Sequence, residues 1–172
     1  MNSKRSWMIL IAIFMVVGLE SRLFAIDGKS NRATLQGLKG VGVLVENLAP
    51  DVEKEGLVKS QIQTDVESRL RAAGVKVLTK EECAGTPGEP YLYVNINLNI
   101  AETESDAYPY SVDLLFIQKV SLLRDPKITT YAVTWSTGGV GSIGKKIVGQ
   151  LRDDVKGMVD LFIKAYQGEN PK

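Results

Sequence analysis

Gly139-Val140-Gly141-Ser142-Ile143-Gly144-Lys145 matches the G-x-x-x-x-G-K portion of a phosphate-binding loop, in which backbone amides cradle phosphates and a lysine reaches them. The chemistry would be nucleotide binding. The next residue is Lys146, however, where such a loop places the Ser or Thr that holds magnesium. The segment also follows the last strand of a meander, with no later strand to supply an acidic magnesium partner. No nucleotide is therefore expected, and Ser136–Lys146 reads as a glycine-rich turn into a final helix, with Ser142 as a helix cap.

The remaining reactive side chains are sparse. The chain has no histidine, which removes Ser-His-Asp, Cys-His and His-based metal chemistry. Glu81, Glu82 and Cys83 lie side by side without the spacing of a ligand set, and read as a solvated loop. Asp153 and Asp154 are adjacent on a helix and point in different directions, as on a solvated face. An enzyme built from carboxylate, lysine or tyrosine chemistry would draw on Asp113 and Lys119. On one strand those two stand about 20 Å apart, too far to act together. No catalytic residue, cofactor or metal is expected.

The elements that position these residues are legible from periodicity. Leu38–Leu48 is a β-rich apolar run in which Gly40 and Gly42 keep one side bare, and Pro50 and Asp51 end it, with Asp51 placed to cap a helix or a short turn. Val58, Ile62, Val66, Leu70 and Ala73 then recur at the spacing of a helix that buries one side, and Gly74 stops it. Val75–Leu78 is a short second strand, parallel to the first. Thr79–Pro90 has the composition of a loop.

In the next strand Leu92, Val94, Ile96, Leu98 and Ile100 face one way, and Tyr93, Asn95, Asn97 and Asn99 the other. A fourth strand puts Tyr110, Val112, Leu114, Phe116, Val120 and Leu122 on its apolar side, which leaves Asp113, Leu115, Ile117 and Lys119 opposite. Asp125-Pro126 turns the chain into a fifth strand, Ile128–Trp135. Ile143, Ile147, Val148, Leu151, Val155, Met158, Val159, Phe162, Ile163 and Tyr166 then form the wide apolar stripe of a final helix. The expected architecture is α+β: a two-layer sandwich with a mixed sheet of about five strands, order β-α-β-β-β-β-α, and two helices on one face.

At the amino terminus, Lys4 and Arg5 precede an unbroken apolar run from Trp7 to Val17, and Glu20 and Arg22 close it. That is the layout of a secretory signal peptide, with cleavage after Ala25. The run is shorter than the roughly 18–20 residues of a membrane-spanning helix. Residues 1–25 are read as the signal, 26–36 as a polar lead-in, 37–167 as one domain and 168–172 as a tail. Losing Lys4, Arg5, Arg22 and Glu20 leaves 18 basic against 19 acidic residues of the full 21 and 20, a formal charge of minus one. Nothing there marks a nucleic-acid footprint. The lone Cys83 has no partner for an internal disulfide, so packing must hold the fold.

The order strand, helix ending in Ser68-Arg69-Leu70-Arg71-Ala72-Ala73-Gly74, strand Val75–Leu78, three-strand meander and final helix resembles small α/β modules of bacterial envelope proteins. These include the amino-terminal domain of the periplasmic TolB protein and the curli-secretion and lipopolysaccharide-assembly lipoproteins. No cysteine stands near the cleavage point, unlike the lipoprotein members. The resemblance implies a non-catalytic role in envelope assembly or binding, and transfers no functional residue.

The expectation is thus an exported protein of the periplasm or envelope that binds through Tyr93, Asn95, Asn97, Leu115 and Ile117. Its partner would be a protein or envelope component, a second copy of the chain included. Nucleic acid and nucleotide are not expected, and a membrane only if the leader stays attached.

Overall fold

The computed structural model describes residues 25–100 and 106–171. The expected signal peptide lies outside the described residues, apart from Ala25. Among the described residues, five helices and four strands succeed one another: α1 (Lys29–Arg32), β1 (Gly42–Val45), α2 (Pro50–Lys54), α3 (Lys59–Ala72), α4 (Lys80–Ala84), β2 (Tyr91–Leu98), β3 (Ala107–Leu122), β4 (Asp125–Gly144) and α5 (Leu151–Glu169). The sheet runs β1-β2-β3-β4, with β1 parallel to β2 and the other pairs antiparallel.

The long helices cover one face of this sheet. Ile62, Val66 and Leu70 of α3 are fully buried, at the spacing the sequence predicts. With Val155, Val159 and Phe162 of α5 they meet Leu92, Val94, Val112, Leu114 and Phe116. Trp135 is wholly buried at the centre, its ring 5.4 Å from that of Phe162, which in turn lies 5.8 Å from Phe116. At the helix-helix seam Arg69 forms a fork with Asp160, and Arg152 donates to Asp65 and Gln61. The Arg69–Asp160 pair is exposed and adds little stability beside the apolar contact, whereas Arg152 and Asp65 are half-buried.

The sheet has four strands where about five are expected. Val75–Leu78 makes only a single parallel bridge, Val77 to Val41. The reason is local: Thr79 accepts from the Glu82 backbone N–H while Glu82 accepts from the Thr79 N–H, a capping box that draws the chain straight into α4. Thr79–Glu82 is a T-x-x-E signature, so the supposed loop around Glu81, Glu82 and Cys83 contains a helix. Asp51 is likewise not a cap. Pro50 opens α2 from an uncapped Ala49, and the Asp51 side chain accepts from the neighbouring Val52 N–H.

The glycine run departs furthest from the expected structure. It is no turn, and Ser142 caps no helix: β4 continues unbroken through Gly138, Gly139 and Gly141 to Gly144, paired with β3 from Asp113 back to Ala107. Ile143 belongs to this strand. A 3-10 segment, Lys145–Gln150, comes next and leaves Ile147 exposed before α5 begins at Leu151.

Tyr110 of β3 explains one glycine. Its ring lies over Gly141, where a Cβ would stand 3.1 Å from it, and its hydroxyl donates to Asp154 of α5 at 2.9 Å. Asp154, read as part of a solvated face, therefore ties the helix to the sheet.

The lead-in also joins the structure. Ile26 exchanges backbone hydrogen bonds with Ser136 on the outer edge of β4, and Leu35 is fully buried. No helix among the described residues is long and apolar enough to cross a membrane.

Candidate functional site

The face of the sheet opposite α3 and α5 carries the residues singled out from sequence. Period-two geometry sends their side chains there, and the register brings them side by side. Tyr93 pairs with Leu115, Asn95 with Asp113, Asn97 with Ser111, and Tyr91 with Ile117. Extended across the sheet, one row reads Leu44, Tyr93, Leu115, Ser136 and Ile26. The next reads Gly42, Tyr91, Ile117 and Val133. Leu44, Val133, Tyr131 and Ile26 are exposed, and Tyr91, Tyr93, Leu115 and Ile117 are half-buried.

This face is not bare along its whole length. The short helix α4 sits over the start of β1, where the missing side chain of Gly42 leaves room for the Cys83 sulfur, 3.4 Å from a built Cβ. The Cys83 thiol donates to the Pro90 carbonyl at 3.3 Å, and burial pushes its pKa up. A thiol so placed is a weak nucleophile. Beside it Leu44, Leu78, Ala84, Tyr91 and Tyr131 line a hollow of about 420 Å³. Tyr91 and Tyr131 meet edge to face, their centroids 6.3 Å apart.

Polar groups frame the apolar rows. At one end Glu89 accepts from the Tyr131 hydroxyl and pairs with Lys119 at 3.2 Å. The two donors hold the Glu89 carboxyl below its ordinary pKa, Tyr131 most strongly, and the same bond raises the Tyr131 phenol. At the other end Glu46 accepts from the Tyr93 hydroxyl, which raises the pKa of that phenol. Beyond Val45 the first strand stops while β2 runs on to Leu98. That mismatch opens a groove of about 550 Å³ in which Glu46, Asn47, Asn95 and Asn97 stand beside Leu48, Val52 and Leu98.

Asp113 and Lys119 share this face without meeting. Lys119 is occupied by Glu89, whereas Asp113 lies across Gly138, where burial raises its carboxyl pKa. No cluster of three or more potential metal ligands occurs among the described residues. The glycine strand cannot form a phosphate cradle either. An extended chain points successive amides in opposite directions, so they do not converge on one anion.

Leu44, Tyr91, Tyr131 and Val133 belong to the surface and were not singled out from sequence. Tyr91 was within reach, since it continues the Tyr93, Asn95, Asn97 alternation by one step. Tyr131 and Val133 were not, because the partnered strand has a bulge: Phe116 pairs with Trp135 but Ile117 with Val133, leaving Thr134 extra. A one-residue bulge reverses the faces on either side of it.

No family model matches the chain, and no curated protein resembles it closely enough to count as a relative. Among solved structures, the chain is similar to a minor lipoprotein from Acinetobacter baumannii. The two share 12% identity, over 77% of this chain and 95% of that one, with a TM-score of 0.30.

Proposed function

We propose that this chain is an exported, non-catalytic envelope protein that acts as a binding or assembly module through the outer face of its sheet. One observation carries the reading. Leu44, Tyr93 and Leu115 stand in register beside Tyr91, Ile117 and Val133, an apolar and aromatic surface crossing all four strands that α3 and α5 leave uncovered. Contiguous surfaces of this kind, rimmed by polar groups, mark interaction sites. Here the rim is Glu46, Asn95 and Asn97 at one end and Glu89 with Lys119 at the other. Tyrosines suit the role, because they bring contact area and a hydrogen-bonding tip at little entropic cost.

The partner on this reading is a protein or another envelope component, a second copy of the chain included. The test is the double variant Leu115→Asp with Ile117→Asp. It should remain folded by circular dichroism and lose self-association in size-exclusion chromatography, or lose capture of its partner from the native envelope. A folded variant that assembles and captures like the parent rejects the sheet face as the site. Export is tested separately by amino-terminal sequencing of protein from the native host, which should begin at Ile26; an intact Met1 on membrane-bound material rejects cleavage.

A further inference from the structure

Beyond Ile117 and Val133 the sheet narrows to two strands. β2 starts at Tyr91, opposite Ile117, so nothing in the sheet flanks β3 and β4 past that point. The base of the resulting arm is held by the Lys119 N–H on the Gly88 carbonyl and by Gln118 on Thr34 and Thr134. From Val120 to Thr130 no hydrogen bond ties the arm to the rest of the domain among the described residues.

The tip of this arm has an unusual composition. Leu123 stands at the turn and is fully exposed, Ile128 is 47% exposed, and Leu122 is half-buried. Arg124 and Lys127 lie between them, and neither has an ion pair among the described residues. The one carboxylate nearby, Asp125, accepts the backbone N–H of Lys127 and keeps its charge, so the tip carries two cations against one anion. Seven consecutive residues thus present three apolar side chains and two unpaired cations on a projection.

Single exposed leucines are ordinary; their position at the point of an arm, beside free cations, is not. A narrow convex tip covers far less than the roughly 800 Å² per partner of a stable protein interface. It suits a surface that deforms around it. Long basic side chains next to apolar ones lie along an apolar boundary while their charged ends reach anions above it.

We propose that the tip Leu122–Ile128 docks on an anionic lipid bilayer, with Leu123 at the boundary of headgroups and acyl chains and Arg124 and Lys127 on lipid phosphates. The inference uses neither the sheet-face reading nor the leader. Anionic lipid adds an attraction to each basic residue near the surface, which a neutral bilayer lacks.

The test uses the full chain carrying Leu123→Trp, with the unsubstituted chain as the blank for Trp7 and Trp135. Vesicles containing phosphatidylglycerol with brominated acyl chains should shift the introduced emission to the blue and quench it, and pure phosphatidylcholine vesicles should do neither. Adding Arg124→Glu and Lys127→Glu should weaken the apparent partition by at least about tenfold. Because residue 123 is fully exposed, the fold is not at risk, and circular dichroism verifies it. Emission indifferent to anionic vesicles overturns the proposal, as does an equal response to neutral ones. A blue shift that needs no lipid and grows with protein concentration also overturns it, and assigns the tip to a second copy of the chain.

Discussion

The carboxylate of Asp113 lies across the bare Cα of Gly138, its partner on the neighbouring strand. A Cβ built on Gly138 would overlap that carboxylate and stand 3.0 Å from the Val112 carbonyl. Gly138→Ala should therefore destabilise the fold by about 1–3 kcal/mol, as overpacking does. Gly139→Ala, with only the Met158 methyl at 3.8 Å, should stay within about 0.5 kcal/mol. Urea denaturation of the two variants gives the contrast. In the Asp113→Ala background the Gly138→Ala cost should shrink without vanishing, since the Val112 carbonyl remains.

Asp113 itself should show a pH signature. Burial raises its carboxyl pKa, so the folded state favours the protonated form. Its contribution is fully present below the ordinary carboxyl range and is lost as pH rises through the raised folded value. Asp113→Asn should then be neutral to stabilising at pH 7, and its advantage should disappear in acid. A variant less stable than the parent at neutral pH would contradict this.

The bond from Tyr110 to Asp154 joins β3 to α5, and Tyr110→Phe should cost about 1 kcal/mol at pH 7 by thermal denaturation. Burial and the Asp154 bond both raise the Tyr110 phenol. The stabilisation is complete below the ordinary phenol range and fades as pH climbs through the folded value. The gap between parent and variant should close in strong alkali.

Asp27 receives the Trp135 indole N–H at 2.6 Å and both arms of Arg32, anchoring the lead-in to the core. Arg32 is the main cause of its lowered pKa, against the opposing effect of burial. Asp27→Ala should cost about 1–3 kcal/mol and alter Trp135 fluorescence. The Asp27 contribution is present above the ordinary carboxyl pKa of about 4 and is lost as pH falls through the lowered folded value. Parent and variant should converge in acid.

Lys145 lies 5.4 Å from the Tyr108 ring centroid, and its backbone N–H meets the Asp106 carbonyl. Calorimetry with ATP and magnesium should show no saturable heat. Lys145 is half-buried against the buried Tyr108 ring, and Lys145→Ala should cost about 0.5–2 kcal/mol of stability, the range of a cation–π contact. Micromolar nucleotide binding that this substitution abolishes would restore the phosphate-loop reading.

Local patterns were legible wherever one residue's preference decides the outcome. The alternation from Tyr91 to Leu98 assigned Tyr93, Asn95 and Asn97 to one face, and the stripe Ile62, Val66, Leu70 named the buried side of α3, because side-chain direction follows backbone period alone. Gly74 likewise sits where α3 stops, with a positive φ of 81°, whereas Asp125-Pro126 opens β4 and the turn falls one step earlier, on Leu123-Arg124.

Tertiary structure decided the rest. Glycine lacks the side chain by which a strand declares itself, so Gly138–Gly144 reads as a loop until β3 lies alongside, its Tyr110 and Asp113 filling the space the glycines leave. Val75–Leu78 has strand composition, yet a strand is made by its neighbour's hydrogen bonds, and here the Lys76 carbonyl accepts from Val41 and the Leu78 N–H donates back to Val41 before the Thr79 cap diverts the chain. The bulge at Thr134 and the reach of the two-stranded arm are relations between chains of residues far apart in sequence. Periodicity speaks for one strand at a time, and pairing exists only between two.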